Sequence, residues 1–144
     1  MEESIKIEFL DHVAIRVKDL ELSANWYEKV LGLKKYKLKK WGEFPIFMLS
    51  DKTGVALFPA NLNDDKINQN SRNIKIDHFA FNVDKENFEK AIRKYKALGL
   101  VFHMQDHFYF DSIYTKDPDG HTVELTTIKV AEANFYKGSE NECQ

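Results

Sequence analysis

Apolar and polar residues alternate along residues 9 to 17, and this alternation predicts a β-strand. The apolar positions are Val13, Ile15 and Val17, whereas His12 falls on the opposite side. A period of two in a β-branched segment is typical of a strand whose two faces have different surroundings. We therefore expect the strand to present His12 on the face opposite to its buried residues.

A helix pattern follows this strand. Asp19 can cap its N-terminus, apolar residues recur at helical spacing up to Leu31, and Gly32 can end it. Turn residues then separate three short apolar segments. Three further strands are predicted, at residues 34–40, 44–50 and 54–59.

The same order of elements occurs a second time along the chain. Asp77-His78 repeats Asp11-His12 at a distance of 66 residues, and each is followed by a strand pattern and a helix pattern. Asp84 can cap the second helix and Gly99 can end it. The second set of later strands is predicted near residues 100–105, 109–116 and 121–128. An internal repeat indicates one structural unit used twice, with matching positions meeting around a pseudo-two-fold axis. We therefore expect His12 and His78 to belong to one shared site.

Each half reads as a β-α-β-β-β module, and strands packed on a helix predict an α+β fold. The modules cover residues 8–60 and 74–128, and an Asn- and Asp-rich linker at 61–73 joins them. We expect both modules to form a single domain within residues 1–130. The polar tail at 131–144 is expected to pack loosely.

Composition excludes several classes of protein. The chain of 144 residues has a formal net charge of -2 and spreads its basic residues widely, so nucleic acid is not an expected partner. It has no apolar stretch long enough to cross a membrane and no signal-like N-terminus. Its one cysteine, Cys143, permits neither an internal disulfide nor a cysteine-based metal site, which is typical of a reducing compartment. We therefore expect a cytoplasmic protein.

The last predicted strand supplies a third polar group. Val123 and Leu125 suit the helix-facing side, so Glu124 should lie on the same face as the two histidines. A carboxylate among apolar neighbours on a strand is costly unless it is paired or bound to a metal. His12, His78 and Glu124 are therefore predicted to hold a divalent metal ion. Two imidazoles and one carboxylate suit Fe(II), and also Mn, Ni, Co or Zn acting as a Lewis acid. No residues for an organic cofactor are predicted.

These residues resemble the vicinal oxygen chelate superfamily, which includes glyoxalases, bleomycin-resistance proteins, extradiol dioxygenases and fosfomycin-resistance enzymes. The resemblance covers roughly residues 8 to 128. Its motifs are residues 11–20 with Trp26-Tyr27, and residues 112–114, 117–121 and 123–125. The resemblance implies two βαβββ modules that form a cup around a metal held by His12, His78 and Glu124.

The residue at the fourth ligand position of such a metal site differs between the subfamilies. Glyoxalase-like enzymes carry a carboxylate there, and the repeat distance of 66 carries Glu124 back to Phe58, or to Leu57 with a slip of one residue. Neither residue is a ligand, which disfavours a methylglyoxal isomerase. A three-ligand site is closer to the dioxygenases and the fosfomycin-resistance enzymes.

Tyr114 lies ten residues before Glu124. The resemblance implies a substrate-facing catalytic tyrosine at that spacing, although a tyrosine that only packs its ring in the sheet is an equal alternative. Ring-cleaving dioxygenases also carry an upstream second-sphere histidine, but the expected position here is Gln105. His103 and His107 lie on either side of it.

Fosfomycin-resistance enzymes carry a threonine two residues after the first histidine, and here that residue is Ala14. They also carry a basic residue after the carboxylate, for which only Lys129 and Lys137 are available. The sequence therefore predicts a metal-dependent enzyme acting on a small oxygen-bearing substrate, with dioxygenase-like or glyoxalase-like chemistry placed first. The alternatives are a fosfomycin-type thiol transferase and a metal-free drug- or metabolite-binding protein. The resemblance also implies a homodimer.

Overall fold

The computed structural model describes residues 4–136 and divides the chain between Asn68 and Gln69 into two compact units. Both units have the predicted α+β organisation, with a helix after the first strand and three strands after the helix. No helix or strand lies between Pro59 and Phe79, where the linker is predicted. Among the described residues, no helix is both long and apolar enough to span a membrane.

The first unit is a four-stranded sheet with one long helix. Its elements are β1 at His12–Val17, α1 at Leu20–Leu31, β2 at Lys34–Tyr36, β3 at Ile46–Ser50 and β4 at Thr53–Pro59. The order across the sheet is β1-β4-β3-β2, and only the β1–β4 pair is parallel. Burial follows the predicted alternation of β1: Ile15 and Val17 are buried, whereas His12 is exposed.

The second unit repeats this arrangement. Its elements are β5 at Phe79–Asn82, α2 at Lys85–Ala97, β6 at Phe102–Asp106, β7 at Phe110–Lys116 and β8 at Thr122–Ile128. The order across the sheet is β5-β8-β7-β6, again with a parallel first pair. Its core includes Tyr95, Ile113 and Val123, which are almost completely buried.

Both helices begin and end as the sequence predicts. The carboxylate of Asp19 accepts a hydrogen bond from the Leu22 backbone N–H at 2.9 Å, and Asp84 accepts one from Asn87 at 2.8 Å. Gly32 ends α1 in the left-handed conformation with φ 69°, which costs a residue without Cβ little. The N-terminal caps therefore fix the residue at which each helix begins after the first strand of its unit.

Strand β2 is shorter than predicted. It ends at Tyr36 instead of residue 40, and a 3-10 turn follows at Lys39–Trp41. Tyr36 pairs with Phe47, so continued antiparallel pairing would set Leu38 opposite Pro45. Proline has no N–H to donate to a neighbouring strand, and the edge strand therefore stops early.

The described part of the C-terminal segment makes a few side-chain contacts, although residues 131–136 are all exposed. Residues Glu132–Asn134 form a 3-10 turn, and the Phe135 ring lies 5.3 Å from the Phe110 ring. The Tyr136 hydroxyl accepts a hydrogen bond from the Asn82 side-chain amide at 3.0 Å. These contacts join the start of the predicted tail to β7 and β5. The rest of the predicted tail lies outside the described residues.

Gly54 allows a close approach between β3 and β4. A Cβ at this position would overlap the Met48 carbonyl oxygen and lie 3.0 Å from Leu49 Cα. We predict that Gly54→Ala lowers the free energy of unfolding by at least about 2 kcal/mol, because only backbone movement can relieve the overlap. Chemical denaturation measures this loss, and the exposed Ser50→Ala on the same hairpin should change it by less than about 0.5 kcal/mol. A stable Gly54→Ala variant would contradict this packing.

The cap of α2 predicts a dependence on pH. Hydrogen bonds from the backbone and side chain of Asn87 hold the pKa of Asp84 below its ordinary value of 3.8. The stabilisation by the Asp84 charge is therefore complete above pH 3.8 and is lost as the pH falls through the lower folded-state pKa.

We therefore expect Asp84→Ala to melt below wild type at pH 7, with a smaller difference in strong acid. Asp84→Asn should keep much of the cap, since asparagine also accepts the N–H bond, and should show no titration at this position. A constant difference between wild type and Asp84→Ala at all pH values would contradict the role of the charge.

Candidate active site

His78 and Glu124 meet in the second unit. His78 directly precedes β5, and β5 runs parallel to β8 with Ala80 opposite Glu124. This register sets the His78 Nε2 atom 2.9 Å from Glu124 Oε2. The Glu124 residue is only 4% exposed, so its carboxylate is largely withdrawn from water. Two of the three predicted metal ligands are thus brought together.

Asp77 fixes the orientation of the His78 ring. Its Oδ2 atom lies 2.7 Å from His78 Nδ1, and this hydrogen bond is the main reason that the pKa of Asp77 is lowered. An imidazole that donates its Nδ1–H to a carboxylate presents a lone pair at Nε2. That lone pair faces an oxygen of Glu124, so either a proton or a metal cation must lie between the two atoms.

The spacing of this pair suits a metal ion. Two adjacent ligands about 2.1 Å from one ion stand roughly 3 Å apart when the angle between them is near 90°. The Ser112 hydroxyl donates a hydrogen bond to the other carboxylate oxygen, Oε1, and so holds the Glu124 side chain. The nitrogen and oxygen donors therefore fit a divalent cation.

Tyr114 lies directly opposite Glu124 in the β7–β8 pairing. Burial, and then the Glu124 carboxylate, raise the pKa of the Tyr114 phenol above its ordinary value of 10. The His78 ring lies 5.8 Å from the Tyr114 ring in an edge-to-face arrangement. The phenol is therefore protonated at neutral pH and lies next to the imidazole–carboxylate pair.

His103 and His107 both contact Tyr114, although neither occupies the second-sphere position expected of a dioxygenase. The His103 ring stacks on Tyr114 at 4.7 Å and 9°, and His107 Nε2 is 2.9 Å from the Tyr114 hydroxyl. The β6–β7 register pairs His103 with Tyr114. The sequence predicted strands at 100–105 and 109–116 but not the register between them, and it is this register that sets His103 opposite Tyr114.

His12 has a similar setting in the first unit. Its Nδ1 atom lies 2.7 Å from Asp11 Oδ1, so Nε2 is again the ring nitrogen left for another partner. The Phe47 ring lies 4.9 Å from the His12 ring, and the Trp41 ring lies 5.0 Å from the Phe47 ring in a tilted arrangement. Asp11 and Asp77 thus orient the two repeated histidines in the same way.

The first unit has a different counterpart of Glu124 from the one predicted. Ala14 pairs with Ala56 just as Ala80 pairs with Glu124, so the counterpart is Ala56, and both Phe58 and Leu57 were wrong. The repeat distance is 66 residues at the histidines but 68 at this strand, because the second unit contains a longer helix and a longer last turn. Alanine has no ligating atom, so the counterpart of Glu124 in the first unit is again a residue that cannot bind a metal.

The other charged candidates have partners elsewhere. Lys129 Nζ is 2.9 Å from Asp106 Oδ1 and 3.4 Å from Asp111 Oδ1, so it does not provide the expected anion-binding cation. The Arg16 guanidinium donates to the Pro59 carbonyl at 3.1 Å and lies over the Phe58 ring. Lys137 and Cys143 lie outside the described residues.

Within residues 4–136, no three His, Cys, Asp or Glu side chains lie close enough together to hold one ion. The structure thus brings together His78 and Glu124, with Tyr114 beside them, and describes His12 in the first unit with its own aspartate. The complete three-ligand site stays a prediction.

Comparisons with known proteins agree with the fold. The chain is 31% identical to a metallothiol transferase FosB from Lysinibacillus sphaericus, with 91% of each chain aligned. It is 32% identical to a probable trivalent organoarsenical cleaving enzyme from Bacillus subtilis, over 92% of this chain and 83% of the relative. A glyoxalase/dioxygenase from Nostoc punctiforme has a similar fold, with a TM-score of 0.74 at 20% identity, over 90% of this chain and all of the other.

The family model described as Glyoxalase/Bleomycin resistance protein/Dioxygenase superfamily matches residues 9–125. This range includes both repeated histidines, Tyr114 and Glu124. It also covers the paired β-α-β-β-β units described above, up to the middle of β8. The chain therefore belongs to the glyoxalase/bleomycin resistance protein/dioxygenase superfamily, as its sequence pattern predicts.

Proposed function

We propose that this protein is a metal-dependent enzyme that joins a thiol to a small electrophile bearing oxygen, such as the epoxide fosfomycin. The pairing of His78 Nε2 with the buried Glu124 carboxylate is the observation that carries the proposal. The metallothiol transferase relative supports thiol transfer over the dioxygenase-like or glyoxalase-like chemistry that the sequence placed first.

His78 and Glu124 would hold the metal, and the repeat adds His12 as the proposed third ligand. This set of two imidazoles and one carboxylate leaves coordination positions open for a substrate. A bound divalent ion would act as a Lewis acid toward the substrate oxygen. Mn, Fe, Co, Ni and Zn all accept such ligands, so this ligand set selects a divalent ion but not one particular metal.

Tyr114 is the proposed catalytic residue. The thiol loses its proton to solvent, its sulfur forms a bond to an epoxide carbon, and the C–O bond at that carbon breaks. The released oxygen then takes up a proton, which gives a thioether alcohol. A protonated phenol beside the metal ligands can donate a hydrogen bond to this oxygen as its negative charge develops.

The absence of a carboxylate at Ala56 distinguishes this site from the four-ligand glyoxalase pattern. Gln105 likewise replaces the second-sphere histidine of the ring-cleaving dioxygenases. Since Lys129 is paired with two aspartates, an anionic group on the substrate would need a different partner from the one expected in fosfomycin-resistance enzymes. The residues at positions 56 and 105 favour thiol transfer over glyoxalase-like or dioxygenase-like chemistry. The pairing of Lys129 favours a substrate preference that differs from that of the fosfomycin-resistance enzymes.

Cleavage of an organoarsenical is a second candidate, favoured by the Bacillus subtilis relative. Trivalent arsenic is a soft centre that prefers thiolate ligands. The sequence contains one cysteine, Cys143, so at most one protein thiolate could bind it. The same assays distinguish the two candidates. The predicted homodimer and cytoplasmic location rest on the sequence and the resemblance alone.

Metal binding tests the proposed ligands. We expect Mn(II), Fe(II), Co(II), Ni(II) or Zn(II) to raise the melting temperature of the wild type, since a ligand selective for the folded state adds about 2.7 kcal/mol at a hundredfold excess over Kd. His78→Ala and Glu124→Gln should lose this shift. Glu89→Gln makes the same carboxylate-to-amide change on the exposed face of α2 and should keep it.

A wild type that none of these ions stabilises would contradict the metal site and favour a metal-free binding protein. Equal stabilisation of wild type, His78→Ala and Glu124→Gln would place the metal elsewhere.

Turnover tests the proposed reaction. Metal-loaded wild type, fosfomycin and either glutathione or L-cysteine should give a thioether product, which phosphorus NMR and mass spectrometry detect. Tyr114→Phe should lower kcat by roughly 10²-fold, because it removes one donor to the developing oxyanion. Tyr109→Phe removes an exposed hydroxyl from the same hairpin and serves as the matched control.

Loss of the epoxide without incorporation of sulfur would indicate hydrolysis and contradict thiol transfer. Release of inorganic arsenic from a trivalent organoarsenical, with fosfomycin unchanged, would favour the second candidate.

A further inference from the structure

His107 lies in the short connection between β6 and β7 and reaches the hydroxyl of Tyr114. Its Nε2 atom is 2.9 Å from that oxygen, and its ring packs 4.8 Å from Phe110. The contact is partly buried, which strengthens a hydrogen bond relative to one in water. The interaction joins a loop residue to the proposed catalytic phenol.

The backbone around His107 is fixed by several hydrogen bonds. The His107 N–H donates to the Phe110 carbonyl at 2.9 Å, and the Tyr109 N–H donates to the His107 carbonyl at 2.8 Å. Phe108 adopts the left-handed conformation with φ 69°, which is unusual for a residue with a side chain. Such a conformation persists only where its surroundings determine it.

Asp106 provides much of that support. Its Oδ1 atom accepts a hydrogen bond from the Phe108 N–H at 2.8 Å and lies 2.9 Å from Lys129 Nζ. The Lys129 backbone N–H also donates to the Tyr109 carbonyl at 2.8 Å. Lys129 thus holds the hairpin tip through both its side chain and its backbone. These contacts fix the backbone that carries the His107 ring.

Two different contacts then constrain the phenol of Tyr114. The parallel stacking of His103 at 4.7 Å limits the plane of the tyrosine ring, whereas His107 limits the hydroxyl at its end. A phenol hydroxyl rotates about its C–O bond, and a partner at a fixed position restricts that rotation. Substrate alignment depends on such restriction, because small errors in position reduce rates strongly.

We infer that His107 is a positioning residue, whose Nε2–H donates to the Tyr114 oxygen and so leaves the phenol proton directed toward the substrate oxygen. This inference rests on the proposed function, because it concerns the direction of the phenol O–H bond during turnover. The sequence prediction considered His107 only as a second-sphere acid–base residue at an unsuitable spacing. The geometry assigns it a different role, which acts through Tyr114 without contact with the metal ligands.

The test compares His107→Phe, which keeps a ring against Phe110 but loses the hydrogen bond, with His107→Gln, which keeps a polar partner for the hydroxyl. Carbon NMR of tyrosine labelled at Cζ, assigned with Tyr114→Phe, reports the hydrogen bond without any need for turnover. We expect the Tyr114 resonance to move in His107→Phe and to return toward wild type in His107→Gln.

In the thiol-transfer assay, His107→Phe should lower kcat about tenfold. KM and the metal-induced rise in melting temperature should stay as in wild type, and His107→Gln should recover most of kcat. Tyr109→Phe is the control for loss of a hydroxyl from this hairpin. A purely structural role would change melting temperature and metal binding together, and the glutamine variant would not restore the rate.

An unmoved Tyr114 resonance, or unchanged kcat in His107→Phe, would overturn the positioning role while the proposed function stands. An inactive metal-loaded wild type would instead overturn the proposed function, and this inference with it.

Discussion

The carboxylate of Glu124 is buried on β8, and a buried charge is tolerated only when neighbouring groups stabilise it. Ser112 provides a hydrogen bond to one oxygen, and His78 faces the other at 2.9 Å. Both contacts require the pairing of β8 with β5 on one side and β7 on the other. The central position of β8 in the second sheet is therefore what assembles the candidate site.

The two units have the same fold but carry different side chains at the equivalent position of the central strand. In the first unit, the strand equivalent to β8 carries Ala56 where the second unit carries Glu124. An alanine needs no polar partner when it is buried, and this position is completely buried. Both units nevertheless keep an aspartate that orients the following histidine, as at Asp11 and Asp77. The repeat thus preserves the orientation of the imidazoles and varies the carboxylate.

The hairpin between β6 and β7 links an exposed surface to the interior of the second unit. Its tip is held by Asp106 and Lys129, and its inner side carries the His107 contact with Tyr114. Charged groups at the surface are worth little individually. They matter here because they fix the backbone from which a partly buried side chain reaches the phenol.

Sequence periodicity alone determined both modules, the caps at Asp19 and Asp84, and the placement of His12 opposite the buried residues of β1. These features are local, since alternation and capping depend on residues a few positions apart. Only the tertiary structure decided that Ala56 is the counterpart of Glu124, that Lys129 pairs with Asp106, and that His107 reaches Tyr114. Each of these depends on strand register, and register is set by hydrogen bonds between distant segments whose turn and helix lengths differ between the two copies.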